Sequence, residues 1–138
     1  MARPSGAGAA RTVLVTEDNP LHMKIFKLNL TFSGFTVLEA ENGEKGVELA
    51  RRERPDLILV DLSLPKLDGW AMISRIKDDE ETRDIPIIVV SARRPQDEAA
   101  HAAMRHIAAY IPKPLDPEAL MALVHETVAS CQLPVASS

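Results

Sequence analysis

Aromatic side chains are scarce, 4% of 138 residues, so any core must be filled by aliphatic side chains rather than rings. Cysteine is nearly absent. Cys131 stands alone near the C-terminus, which excludes an internal disulfide and a cysteine-clustered metal site and fits a reducing compartment. No apolar run approaches the roughly 20 residues of a membrane helix. Runs such as Leu57 to Val60 and Ile85 to Val90 fall far short of it, so membrane insertion is not expected. Residues 1–10 are mostly small and lack the leucine- and valine-rich centre of a secretory signal, which points to a flexible arm on a cytoplasmic chain. An excess of basic charge is missing too. Sixteen Lys and Arg against twenty Asp and Glu leave a net charge of −4, without the general attraction to phosphate backbones that DNA binders use.

What is present is a globular composition. Hydrophobic residues make up 46% and charged residues 26%, which rules out wholesale disorder, and the length suits one domain with no room for a second. The expected layout is an arm over 1–10, a folded domain over 11–130 and a short tail over 131–138.

Short aliphatic runs alternate with longer stretches of helical spacing, the pattern of parallel βαβ units. Strands are predicted over Thr12 to Thr16, Thr36 to Ala40, Leu57 to Val60, Ile87 to Val90 and Ala109 to Ile111. Helices are predicted over Pro20 to Ser33, Gly43 to Arg52, Trp70 to Asp78, Pro95 to Arg105 and Pro117 to Ser130. In the first helix Leu21, Ile25, Leu28 and Phe32 form one apolar stripe, expected to face the sheet, with Asn19 as N-cap before Pro20. Asp116 before Pro117 repeats that start signal, and Leu120, Leu123, Val124 and Val128 give the last helix its buried stripe. The third and fourth strands are apolar throughout, as strands covered by helices on both faces are.

In such open sheets the ligand site lies beyond the carboxyl ends of the strands. There the chain carries Glu17 and Asp18, then Asp61, then Ser91, then Lys113. Three crowded carboxylates repel unless a cation binds, and an all-oxygen set suits Mg²⁺, with Mn²⁺ as an alternative, rather than zinc. Asp61 as nucleophile would form an acyl phosphate, with Lys113 neutralising charge on the phosphoryl oxygens and Ser91 donating a hydrogen bond to one of them.

The order Glu17-Asp18, Asp61 to Gly69 (DLSLPKLDG), Ser91-Ala92 and Lys113-Pro114 resembles the receiver domain of two-component response regulators across about residues 11 to 130. The opening EDNP and the stretch PDLILVDLSLP are similar to stand-alone receivers of the DivK type and to receivers attached to hybrid kinases. The resemblance implies a flavodoxin-like, doubly wound α/β fold: a five-stranded parallel sheet, (βα)5, in a three-layer sandwich. It also implies a phosphoacceptor Asp61, a metal pocket of Glu17, Asp18, Asp61 and the Ser63 main-chain carbonyl, and phosphoryl binding by Ser91 and Lys113. Ser91 and Tyr110 occupy the switch positions, and Ser63 and Arg93 those that tune dephosphorylation. Receivers usually carry Gly-Ala before the fifth strand. Here His106 and Ile107 stand there, so either His106 adopts a less favourable left-handed conformation or the fourth helix ends differently.

By the same resemblance the chain is a phosphorelay switch, not an enzyme beyond its own phosphotransfer and autodephosphorylation. The implied donor is a histidine kinase or a histidine phosphotransfer protein. A downstream effector would read the face made by Pro95 to Arg105, the fifth strand and the last helix, and a phosphorylation-dependent dimer is compatible with this. No attached output domain is expected. The rivals are a degenerate receiver acting as a constitutive binding module and a small aspartyl-phosphate phosphatase. A phosphatase of the haloacid-dehalogenase type needs an acid two residues after its nucleophile, where this chain has Ser63. Other signals carry less. Gly6 and Gly8 precede the first strand instead of following it, and Asn29 in NLT lies within a predicted helix. His22, His101, His106 and His125 are read as surface residues, and Trp70 as packing.

Overall fold

The computed structural model describes residues 11–61, 69–91, 107–112 and 116–132. β1 (Thr12–Thr16), β2 (Thr36–Ala40), β3 (Leu57–Asp61), β4 (Ile87–Ser91) and β5 (Ala109–Pro112) form one sheet. Among the described residues four helices accompany it: α1 (Pro20–Phe32), α2 (Gly43–Glu53), α3 (Gly69–Asp78) and α4 (Pro117–Gln132). The helix expected over Pro95 to Arg105 lies outside the described residues, as do His101, His106 and the arm over 1–10.

All strand pairs are parallel and the order is β2-β1-β3-β4-β5, the flavodoxin-like order of a doubly wound sheet. Alternation along each strand divides the core in two. Leu14, Ile58, Val60, Ile87 and Val89 pack with Leu49 and Ala50 of α2 and with Met72, Ile73 and Ile76 of α3. Val13, Val15, Leu57, Leu59, Ile88 and Val90 pack with α1 and with Leu120, Val124 and Val128 of α4. The result is a three-layer sandwich. The apolar runs Leu57 to Val60 of β3 and Ile87 to Val90 of β4 are buried as their composition requires, and Asp61 at the end of β3 is buried with them.

α1 corrects one expectation. Leu21, Ile25, Leu28 and Phe32 face outward, with Leu21 64% and Phe32 94% exposed, while Met23, Phe26 and Leu30 are buried. The two sets lie on opposite sides of the helix and both satisfy a 3.6-residue period, so periodicity alone does not choose between them. The helix ends choose. At the N-terminus Asn19 Oδ1 accepts from the Leu21 and His22 N–H groups at 2.8 and 3.2 Å. At the C-terminus Phe35 N–H donates to Leu30 O at 3.0 Å and Gly34 takes the left-handed φ of 97°, a Schellman closure that sets Phe35 against Leu30. Both side chains are buried, so this contact fixes the inward face. The ring of His125 on α4 lies 5.0 Å from that of Phe35, so His125 touches the outer edge of this packing.

The start of α4 follows its sequence signal, with Asp116 Oδ1 accepting from Glu118 N–H at 3.1 Å. Trp70 packs, partly buried, against the core between the sheet and α2 and α3.

Candidate functional site

The sheet order reverses between β1 and β3, and the register pairs Thr16 with Val60. Glu17 and Asp61 therefore follow on neighbouring strands at the point where open α/β sheets hold their ligands. Glu17 is still held by the ladder, its N–H donating to Ala40 O at 2.9 Å. Each side chain shares the parity of strand residues that pack on the α1 side, Val15 for Glu17 and Leu59 for Asp61. Both are only 2% exposed.

Two carboxylates in so dry a position are costly unless positive charge or donors meet them. Part of the compensation for Glu17 is local: its Oε2 accepts from Asn19 N–H at 3.1 Å. Asn19 in turn caps α1, so β1, the connection and the helix are locked in one hydrogen-bonded chain. The other oxygen, Oε1, lies 3.8 Å from His22 Nδ1 in the first turn of α1. Ligand atoms of Glu17, His22 and Asp61 all fall within 4.8 Å of one another, a spread that one cation could gather.

Asp18 stands outside this convergence. It is exposed and lines, with Glu17, Glu39, Glu41 and Lys45, a cleft of about 260 Å³ beside the buried pair. Ser91 ends β4 and pairs in register with Pro112 of β5. Tyr110 pairs with Val89, two residues earlier, and packs half-buried against the core shared with α2 and α3. Ser63, Arg93 and Lys113 lie outside the described residues. A wider hollow of about 700 Å³ between α2 and α3 is lined by side chains of both signs, Glu44, Glu48, Arg51 and Arg75 among them. Among the described residues its lining includes none of the strand-end groups.

His22, expected only as a surface residue, is half-exposed but lies beside Glu17, brought there by a helix rather than by a strand end. The available signal was its distance from Glu17: a two-residue connection and one helical turn bring it back over the strand end. Among the described residues no helix is long and apolar enough to cross a membrane.

Comparisons with known proteins bear on the family and the fold. The family model described as the response regulator receiver domain matches residues 13–125. The polar-differentiation response regulator DivK of Brucella anthropi is 38% identical over 105 residues, 76% of this chain and 85% of that protein. DivK of Brucella ovis is 37% identical over the same length. Among solved structures, the receiver domain of a Pseudomonas aeruginosa sensor histidine kinase, crystallised with magnesium in its active-site cleft, superposes with a TM-score of 0.78. It is 29% identical, and the match covers 88% of this chain and 99% of that one. A CheY-like receiver from Methanospirillum hungatei, 22% identical, shares the fold with a TM-score of 0.82 over 90% of this chain and 98% of that one. On its sequence and its fold alike, the chain belongs to the response regulator receiver domain family.

Proposed function

We propose that the chain is a DivK-like phosphoacceptor switch that takes a phosphoryl group from a histidine kinase or a histidine phosphotransfer protein onto Asp61. The observation that carries this reading is the pair of buried carboxylates, Glu17 and Asp61, side by side where the strand order reverses. In the transfer an Asp61 oxygen attacks phosphorus, the phosphorus–nitrogen bond of the donor breaks, and the imidazole leaves with a proton. Hydrolysis of the acyl phosphate by water returns the carboxylate. Glu17, Asp18, Asp61 and the Ser63 carbonyl would hold Mg²⁺ or Mn²⁺, which when bound offsets negative charge on the phosphoryl oxygens. Lys113 and the Ser91 hydroxyl complete the phosphoryl contacts in this reading, and Ser63 and Arg93 flank the path of the hydrolytic water.

The exposed stripe of α1 supports a protein donor. A donor histidine must reach Asp61, so its carrier has to seat on surface next to the site, and Leu21, Ile25, Leu28 and Phe32 supply apolar surface that starts one turn from Glu17. Output would pass through Tyr110 and Ser91 to the face around β5 and α4, as a population shift between two arrangements. In the inactive one Tyr110 keeps the half-buried packing described above.

The test is labelling of the full chain by acetyl phosphate or a phosphorylated kinase in Mg²⁺, read by mass spectrometry. Wild type is expected to gain one phosphoryl group at Asp61, and the Asp61→Asn protein or an EDTA-treated sample none. Equal labelling in all three would overturn the assignment, and absence of labelling from every donor would favour a constitutive binding module.

A further inference from the structure

We infer that His22 is a ligand of the cation held at Glu17 and Asp61, and that it biases this pocket toward divalent ions that accept nitrogen, Mn²⁺ and Co²⁺, over Mg²⁺. The inference rests on the cation pocket of the proposed function and adds a residue to it. Its ground is the convergence of one imidazole nitrogen and two carboxylates within 4.8 Å. Two ligands each about 2.1 Å from one ion stand about 3.0 Å apart at octahedral and about 3.4 Å apart at tetrahedral angles. The 3.8 Å between His22 Nδ1 and Glu17 Oε1 is a few tenths of an ångström wider, a gap that a small turn of the half-exposed His22 side chain would close.

The surroundings hold the three groups in place. Glu17 cannot swing away without breaking its Oε2 bond to Asn19 N–H, and the same Asn19 fixes the backbone of His22 through Oδ1. His22 therefore enters the pocket from a capped helix rather than from a loose loop. Its side chain is 45% exposed, so one side of the imidazole remains in water while Nδ1 faces the carboxylates. With oxygen ligands alone the pocket suits Mg²⁺. Adding imidazole changes the donor set, since nitrogen ligands favour the later first-row ions, and Co²⁺ exceeds Mn²⁺ in that order.

The experiment uses the full chain without phosphoryl donor. Calorimetric association constants for Mg²⁺, Mn²⁺ and Co²⁺ are compared between wild type and His22→Asn, and pulsed electron paramagnetic resonance of the Mn²⁺ complex reads nitrogen coupling directly. Thermal melting without metal establishes that His22→Asn is folded, and the resonance measurement on wild type does not depend on the variant. Wild type is expected to show a nitrogen coupling that disappears in His22→Asn, together with a fall on the order of tenfold in the Co²⁺ to Mg²⁺ ratio. A Mn²⁺ complex without nitrogen coupling, or a coupling and ratio unchanged in His22→Asn, would overturn the role of His22 and leave the acidic pocket standing. Failure of wild type to bind any of the three ions would overturn the pocket itself, and with it the metal-dependent function.

Discussion

Two substitutions on α1 separate the face that periodicity first suggests from the face that the fold uses. Phe26 is 5% exposed and Phe32 94%, although they are six residues apart on one helix. Phe26→Ala leaves a cavity between α1 and the sheet, where Val13, Val15, Leu57 and Leu59 meet the helix, and buried phenylalanine truncations cost about 3–5 kcal/mol. Phe32→Ala removes a side chain that is already in water, and alanine is the better helix former, so the change should stay within about 0.5 kcal/mol of zero. With a urea m-value of roughly 1–3 kcal/mol per molar, the Phe26→Ala midpoint should fall on the order of 2 M while that of Phe32→Ala barely moves. Equilibrium unfolding followed by circular dichroism measures both. Phe26→Leu, which keeps most of the volume and should cost about 1 kcal/mol, preserves the comparison if the alanine variant does not fold. Equal midpoints for Phe26→Ala and Phe32→Ala, or a larger loss for Phe32→Ala, would refute the assigned rotation of α1 and with it the placement of His22.

Millimolar Mg²⁺ should raise the melting temperature of wild type, since an ion bound only by the native state at one hundred times its dissociation constant adds about 2.7 kcal/mol. Asp61→Asn should lose most of that increment, because it removes one of the two buried carboxylates proposed to hold the ion. Thr82, fully buried in the turn after α3, donates from Oγ1 to Ile76 O at 2.7 Å. Thr82→Val should therefore destabilise by about 1–3 kcal/mol in urea unfolding, whereas Thr82→Ser, which keeps the donor, should cost less than Thr82→Val.

The strands were legible because their signal is chemical as well as periodic: β-branched runs too short for helices, bounded by turn residues. Their ends were legible too, to within one residue, since β3 runs on to Asp61, β4 to Ser91 and β5 to Pro112. That single residue matters, because it makes Asp61 a ladder residue with a fixed direction instead of a loop residue. The rotation of α1 was not legible. Its sequence holds two apolar stripes, and the deciding contacts, the Asn19 cap on Glu17 and the closure of Leu30 on Phe35, join residues whose spatial relation only the fold provides. The same ambiguity concealed His22. With Leu21 and Ile25 facing inward it would have turned away from the strand end. With Met23 facing inward it sits at the rim, over Glu17.

One short connection thus sets three properties at once. The Asn19 N–H bond to Glu17 Oε2 orients the carboxylate, while the Asn19 side chain, accepting from Leu21 and His22 N–H, starts α1, whose rotation the closure of Leu30 on Phe35 completes. That rotation then places His22 at the buried acidic pair and turns Leu21, Ile25, Leu28 and Phe32 to solvent. In the proposed phosphotransfer, the surface that receives the donor and the pocket that receives the phosphoryl group are therefore parts of one rigid element rather than independent features. A change that shifted the start of α1 would move both together. Asn19→Ala makes the point: it removes the helix cap, at a cost of about 1 kcal/mol, while leaving every proposed phosphoryl ligand in the sequence. If strand-end chemistry alone governed the transfer, Asn19→Ala would be phosphorylated by a protein donor and by acetyl phosphate in the wild-type proportion. Coupling through α1 requires the protein donor to lose more than the small molecule does, because only the protein donor needs the helix face and the pocket in register.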